Sequence, residues 1–294
     1  MKYLFLLFIS LNSFAFYEMD EIILDNNFKV CIIGDTGTGS ITHKMMAKEL
    51  AKEGCGQVRI LGDIIYPDGL SSIDDDQFQT KFVIPFKNII NFSTKPKFHI
   101  ITGNHDYKGI SDIWTKLDKK HEYIFSPKMY FAEKYPGNIC FINLDTSPLN
   151  KVEYLRYAYN EFLWLKDLTN SKPKCSFTVG FGHHPFWSSG THGDANFIQK
   201  WLLDYYVIGE MNSYYSGHDH HNGYEGTINN TDLYISGGFS KIRKLKRESR
   251  GKSFDELGYL VATFHTVDGK ISMKTKIKVY RSGVMETVFE KITN

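Results

Sequence analysis

Short apolar runs rich in β-branched residues recur along the chain, and each breaks off at a glycine followed by polar side chains. Phe28 to Gly34 ends in Gly34-Asp35-Thr36-Gly37, Gln57 to Leu61 in Gly62-Asp63, and Lys97 to Thr102 in Gly103-Asn104-His105-Asp106. Ser176 to Phe181 runs into Gly182-His183-His184-Pro185, and Met211 to Ser216 into Gly217-His218-Asp219-His220. Runs of this length with abrupt ends predict buried strands opening into turns. Between the first two the period changes. Ser40 offers an N-cap, Ile41, Met45, Ala47 and Leu50 recur at helical spacing, and Gly54 closes the segment. Strand, helix and strand in that order predict a βαβ unit, which delivers both aspartates to one edge of a parallel sheet.

Ile73 to Asn91 is helical in pattern but interrupted by Pro85, Asn138 to Asp145 predicts a strand, and Val152 to Leu168 a helix with Tyr154, Leu155, Tyr157, Phe162, Leu163 and Leu165 on its apolar face. From Asp232 onward strands dominate: Asp232 to Ile235, Tyr259 to Thr266, Ile271 to Tyr280 and Val284 to Phe289, with a turn at Asp268-Gly269. These strands read as antiparallel. They follow the last polar cluster directly, so the expectation is a second sheet packed face to face on the first rather than a separate domain.

Composition changes this picture only at the edges. At 294 residues, with 42% apolar and 23% charged positions and no low-complexity linker, the expectation is one domain with ample core. Lys plus Arg (35) nearly balance Asp plus Glu (33), which gives no overall field for nucleic acid or an anionic membrane. Residues 1–15 carry a basic, apolar, then small-residue pattern like that of a signal peptide, so the mature chain is expected to be 16–294 and the protein secreted, periplasmic or lumenal. The apolar run is too short for a stable membrane span. Export permits disulfides, but sequence cannot pair Cys31, Cys55, Cys140 and Cys175. Cys31 and Cys140 lie in apolar runs where a free buried thiol is the expectation, and none of the four has metal-ligand spacing.

The clusters share hard oxygen and imidazole donors. Asp35, Asp63, Tyr66, Asn104, His183, His218 and His220 can hold two cations a few ångströms apart, the arrangement that activates water against phosphorus. Glycine ahead of each cluster lets the backbone turn without a side chain in the way. Asp63 has two oxygens and can bridge two metals. Asp35 and Tyr66 are anionic when bound whereas Asn104, His183 and His218 are neutral, so one side favours the more highly charged ion. A phenol with an ordinary pKa of about 10 calls for a strongly Lewis-acidic cation, Fe(III) being the natural candidate, while the neutral side suits Fe(II), Zn(II) or Mn(II). Hydrolysis of a phosphate ester is the reaction implied.

In this order the motifs Gly-Asp-x-Gly, Gly-Asp-x-x-Tyr, Gly-Asn-His-Asp, Gly-His-x-Pro and Gly-His-x-His resemble those of the purple acid phosphatases, above all the small tartrate-resistant type, within the binuclear metallophosphoesterase superfamily. The resemblance covers nearly all of the chain after residue 15. It implies an α/β fold, a two-sheet β-sandwich flanked by helices in a four-layer αββα arrangement. It implies an acid phosphatase acting on small-molecule or protein phosphomonoesters; with the leader and the charge balance, the expectation is a secreted monomer with no nucleic-acid partner. By the same resemblance Asp35, Asp63, Tyr66 and His220 would hold Fe(III), and Asp63, Asn104, His183 and His218 the divalent metal, with a violet colour from the phenolate. Small members carry a further His that falls here on His192. His105 and His192 are thus candidates for contacting the phosphate and protonating the departing alcohol, while a metal-bound hydroxide attacks in line. An acidic optimum follows, since water on Fe(III) ionises below neutrality and a His donor must keep its proton. Residue 184 departs from the pattern, being His where the small enzymes usually have Tyr. The segment between Asp145 and the helix near Val152 is short where vertebrate relatives carry a protease-sensitive loop, so no proteolytic activation is expected.

Two alternatives stay open at this level. A Mn- or Zn-dependent phosphodiesterase or protein phosphatase of the superfamily would place His two residues after the first Asp, where this chain has Gly37. A non-catalytic binding module on the same scaffold would have no chemical need of seven donors. The run Lys241 to Lys252 holds seven basic residues and is either a solvated loop or a border of the site that attracts anions. His43, His99, His121, His221 and His265 occupy no motif position and read as surface or core residues.

Overall fold

Successive side chains of the apolar runs go to opposite sides of the chain, and that alternation sorts the core into layers. The computed structural model of the protein describes residues 16–25, 27–91, 97–150, 155–171 and 175–294. The leader expected at residues 1–15 and the start of the helix expected at Val152 lie outside the described residues. In chain order the strands are β1 Tyr17–Glu18, β2 Val30–Ile33, β3 Gln57–Leu61, β4 Lys97–Ile101, β5 Ile124–Phe125, β6 Phe131–Tyr135, β7 Ile139–Asn143 and β8 Phe177–Phe181. They continue with β9 Ser213–Ser216, β10 Asn222–Ile228, β11 Thr231–Ser236, β12 Lys252–Phe254, β13 Gly258–Val267, β14 Lys270–Arg281 and β15 Val284–Thr293. The α-helices are α1 Ile41–Lys52, α2 Asp76–Phe78, α3 Ile84–Ile90, α4 Ile113–Asp118, α5 Leu155–Ser171 and α6 Phe197–Tyr206.

One sheet has the order β15-β14-β13-β2-β3-β4-β5 and the other β1-β6-β7-β8-β9-β11-β10-β12. Each contains a parallel run, β2 to β5 in the first and β7, β8, β9 and β11 in the second. Val30, Ile32 and Leu61 of the first sheet share a core with Ile139, Phe141, Phe177 and Val179 of the second. On the far face of the first sheet, Cys31, Ile33, Val58 and Ile60 pack under Met46 and Leu50 of α1 and Phe86 and Ile89 of α3. On the far face of the second, Cys140 and Ile142 pack under Leu165 of α5 and Leu202 and Leu203 of α6. The result is helix, sheet, sheet, helix, the four-layer sandwich that the resemblance implied.

Several expectations are corrected. The C-terminal strands do not make the second sheet: β13 pairs antiparallel with β2, Leu260 opposite Ile32, so β13 to β15 extend the first one. The second sheet instead gathers β1 and β6 to β12, of which β6, β10 and β12 lacked a strong local signal. The interruption expected at Pro85 is present, as a change of helix type rather than a loop. Pro85 sits in the first turn of α3, directly after a π-helical turn at Gln79–Val83, where the missing N–H is least costly. Cys31 and Cys140 are not free thiols: Cys31 is bonded to Cys55 and Cys140 to Cys175. Cys55 lies just before β3, the neighbour of β2, and Cys175 just before β8, the neighbour of β7, so strand pairing brings each couple within bonding reach. The predicted cap of α1 is present, with Ser40 Oγ accepting the N–H of His43 at 3.1 Å.

Candidate metal centre

All five glycine-led turns follow strands β2, β3, β4, β8 and β9, and the parallel runs bring their polar side chains together at one end of the sandwich. The turns are tight enough to force unusual backbone. Asp35, Asp63 and His218 have φ of 56°, 52° and 68°, a left-handed conformation that costs a non-glycine residue roughly 1 kcal/mol or more and persists only where surroundings hold it. The holding groups are visible. Asp106, fully buried, accepts the N–H groups of Gly103 at 2.8 Å and Ile64 at 3.1 Å, tying the third turn to the second. The second oxygen of Asp35 accepts the His218 N–H at 2.8 Å, tying the first to the fifth.

Two groups of donors result, sharing Asp63. Tyr66 Oη lies 2.8 Å from Asp35 Oδ1, 2.9 Å from Asp63 Oδ2 and 3.4 Å from His220 Nε2. His183 Nε2 lies 3.1 Å from Asn104 Oδ1, 3.3 Å from His218 Nδ1 and 3.4 Å from Asp63 Oδ1. Metal bonds of about 2.0–2.2 Å at octahedral or tetrahedral angles put neighbouring donors about 2.8–3.6 Å apart. The observed spacings match that edge, and the two oxygens of Asp63 turn toward different groups, as a bridging carboxylate requires. All seven candidate donors therefore converge.

The electrostatics call for added positive charge. Burial, then the charge of Asp63, pushes the Asp35 carboxyl well above its usual range, and burial with both carboxylates pushes the Tyr66 phenol far up. Burial raises Asp106 to about 8, with Asp63 adding to it. On the imidazole side burial, then Arg243, holds His220 down at about 3, and burial with the neighbouring imidazoles holds His218 well below its ordinary value. Acids that resist ionising beside imidazoles that resist protonation form a set whose natural complement is a cation, so the residues present fit two metal ions.

His105 and His192 flank this set. His105 Nδ1 donates to the Pro67 carbonyl at 2.5 Å, which turns Nε2 toward Asp63 Oδ2, 4.0 Å away. The His192 ring lies 4.4 Å from that of His218 and its Nε2 accepts a hydrogen bond from Arg243, while the His192 backbone N–H donates to Asp219 Oδ1 at 2.9 Å. Asp219, whose side chain also accepts from Ser188 Oγ and the Gly193 N–H, is the anchor of the His192 loop. Sequence reasoning passed over both Asp219 and Arg243. Asp219 had a signal, since it lies inside the Gly-His-x-His motif, and Arg243 had only membership of a basic run. That run does border the site. His184, the departure from the family pattern, is buried, its Nδ1 2.8 Å from Thr146 Oγ1, and its imidazole groups with those of His183 and His218 within 4.8 Å.

A sequence profile described as calcineurin-like phosphoesterase matches residues 28–222. Purple acid phosphatase 7 of Arabidopsis thaliana is 25% identical over 243 residues, which cover 74% of this chain and 71% of that one. Tartrate-resistant acid phosphatase type 5 of Homo sapiens is 26% identical over 226 residues, 69% of this chain and 68% of the relative. Among solved structures, one titled "GAP50 the anchor in the inner membrane complex of Plasmodium" superposes with a TM-score of 0.73 at 18% identity, covering 91% of this chain and 88% of the other. A dimetal phosphatase from Danio rerio superposes at 0.56 with 13% identity, covering 90% and 100%. Fold, motif order and profile agree: the chain belongs to the calcineurin-like phosphoesterases, with purple and tartrate-resistant acid phosphatases among its relatives.

Proposed function

We propose that the protein is an exported acid phosphatase hydrolysing phosphate monoesters at a centre of Fe(III) paired with Fe(II), Zn(II) or Mn(II). In this reading residues 1–15 are the leader and 16–294 one catalytic domain working as a monomer. The acid phosphatase relatives support the activity. Two disulfides support an oxidising compartment, and no helix among the described residues is long and apolar enough to cross a membrane. The observation that carries the iron assignment is Tyr66 Oη within 2.9 Å of two carboxylates and 3.4 Å of an imidazole. A phenol held far above its usual pKa gives up its proton to a strongly Lewis-acidic cation.

Asp35, Tyr66, His220 and one oxygen of Asp63 would hold Fe(III), and Asn104, His183, His218 and the other oxygen the divalent ion. Bound there, the two cations would supply a nucleophilic water and neutralise charge developing on the phosphoryl oxygens. His105 is the better placed proton donor for the departing alcohol, because its Nδ1 is turned to Pro67 and its Nε2 faces the donor set. His192, whose Nε2 already accepts from Arg243, is better suited to lining the phosphoryl position. Metal analysis and visible spectroscopy test the reading. Purified protein should be coloured, lose its band on reduction, turn over p-nitrophenyl phosphate in acid, and become colourless in Tyr66→Phe. A colourless Mn enzyme of equal activity would overturn the iron assignment; absence of both metal and turnover would overturn the enzyme.

A further inference from the structure

Two carboxyls that take no part in the donor set are buried behind the third turn. Asp145 follows β7 of the second sheet, and Glu161 lies on α5. Leu144 beside Asp145, and Ala158 and Leu165 one turn either side of Glu161, belong to one apolar cluster. Glu161 Oε1 accepts the Asp145 backbone N–H at 2.8 Å, while Glu161 Oε2 is buried with no partner among the described residues. The groups that favour charge on Asp145 are hydroxyls and a backbone N–H rather than a cation, and burial raises its carboxyl to about 7. Burial, then the charge of Asp145, raises Glu161 well above its ordinary range. Two apolar side chains there would carry no such cost, which marks the pair for what its oxygens hold.

They hold the third turn at both ends. The Tyr107 hydroxyl donates to Asp145 Oδ2, and the Thr102 hydroxyl donates to Asp145 Oδ1 at 3.4 Å. Thr102 stands directly before Gly103 and Tyr107 directly after Asp106, so one carboxyl spans the segment that carries Asn104 and His105. The turn follows β4 of the first sheet and Asp145 follows β7 of the second, so the grip crosses from sheet to sheet. The donor set has the same need. Asn104 comes from the first sheet and His183 from the end of β8, the parallel neighbour of β7, yet Asn104 Oδ1 and His183 Nε2 lie 3.1 Å apart. The ties from Asp106, and from Asp63 Oδ1 to the His105 N–H at 2.8 Å, join the turn to its own sheet and leave its distance from the other sheet open.

We propose that Asp145, braced from α5 by Glu161, is a positioning residue that sets the third turn against the second sheet and so fixes Asn104 opposite His183 and His105 beside Asp63. The His105 half rests on the phosphatase reading above; the Asn104 half needs only that the site hold metal. Asp145 touches neither reacting atoms nor the donor atoms. It acts through Tyr107 and Thr102, and loss of an outer hydrogen-bond partner of this kind costs roughly 10–100-fold in metal affinity or activity.

The test measures kcat and KM for p-nitrophenyl phosphate, and retention of each of two metal equivalents by the loaded protein against a chelator series. It compares wild type, Asp145→Ala, Asp145→Asn, Tyr107→Phe and the double variant Asp145→Ala/Tyr107→Phe, each with a melting curve. Asp145→Ala should lower kcat about tenfold with KM within about twofold, and weaken one metal about tenfold while the other and the Tyr66-dependent colour are held. Asp145→Asn, which keeps an oxygen for the Tyr107 hydroxyl, should recover to within about threefold of wild type. Because Asp145 acts through Tyr107, the double variant should fall no more than about twofold below Asp145→Ala. Additive losses, a fall carried by KM instead of kcat, or equal weakening of both metals overturns the positioning role, the last because it would mean general loosening of the fold. If Asp145→Ala does not fold, Tyr107→Phe carries the same test through the loss of one hydroxyl, with an expected effect of about threefold on kcat and on one metal. A metal-loaded wild type without turnover fails the phosphatase reading instead. Selective weakening of one metal in Asp145→Ala then still supports the grip on Asn104, and equal weakening overturns it.

Discussion

Gly103 sets how closely the third turn can approach the second. A Cβ there would lie 2.2 Å from Asp63 Oδ1 and 2.3 Å from the Asp63 nitrogen, so Gly103→Ala must displace the one carboxylate that faces both donor groups. Misplacement of a reacting group by an ångström costs on the order of a hundredfold, and the shared ligand affects two sites at once. Gly103→Ala should therefore lower kcat/KM by at least about a hundredfold and bring metal content below two equivalents, as titration and elemental analysis would reveal. Full metal content and activity would mean that Asp63 does not bridge. The donors were legible because each lies in a short motif whose glycine and polar residues are neighbours in the chain. Arg243 was not, because its contact with His192 spans 51 positions and nothing local separates a pinned basic residue from a solvated one. The cysteines failed for another reason: an apolar run suits a buried half-cystine as well as a buried thiol.

At the scale of elements, the sequence pattern identified strands more surely than their partners. The period of two in Ile271 to Tyr280 says that a strand forms there, but membership of the first sheet depends on Leu260 meeting Ile32, more than two hundred positions away. The disulfides act on the same problem, since each closes a connection between neighbouring parallel strands. Cys31–Cys55 spans 24 positions around the α1 crossover, and Cys140–Cys175 spans 35 around α5. Loop-closure entropy assigns each bond roughly 3–4 kcal/mol of stability through the denatured chain. The double variant Cys31→Ala/Cys55→Ala should lose about 3 kcal/mol in urea unfolding and keep its Tyr66-dependent colour while folded. A loss below about 1 kcal/mol would show that the denatured chain already keeps β2 and β3 together.

For the whole molecule the sensitive place is the plane between the sheets, where Arg59 of β3, His99 of β4 and Glu133 of β6 are buried in an otherwise apolar core. The group is fully partnered. Arg59 Nη1 lies 3.1 Å from Glu133 Oε1 and 2.9 Å from Asn143 Oδ1, His99 Nδ1 is 3.1 Å from Glu133 Oε1, and Gln57 Nε2 reaches His99 Nε2 at 2.8 Å. Burial opposes charge on Glu133, but Arg59 and then His99 outweigh it and hold the carboxyl well below its usual range. Burial holds His99 below the ordinary histidine value, Glu133 opposing and Arg59 adding to the effect. Both folded values are depressed, so in each window between the folded and unfolded values the unfolded chain binds more protons and stability falls as pH falls. The loss begins as pH drops through the unfolded histidine value of about 6.5 and is joined by Glu133 below about 4.3. Other histidines held neutral in the fold, such as His43 at about 3, lean the same way. Comparing His99→Gln with wild type cancels the shared groups. The variant should be destabilised at pH 7, and that deficit should shrink toward pH 5 by up to about 1.4 kcal/mol per pH unit, the contribution of one proton. Urea unfolding at pH 5, 6 and 7 measures the deficit directly; a constant value across that range would mean that His99 titrates alike in the folded and unfolded chain, and a deficit growing toward pH 5 that it is protonated in the folded protein.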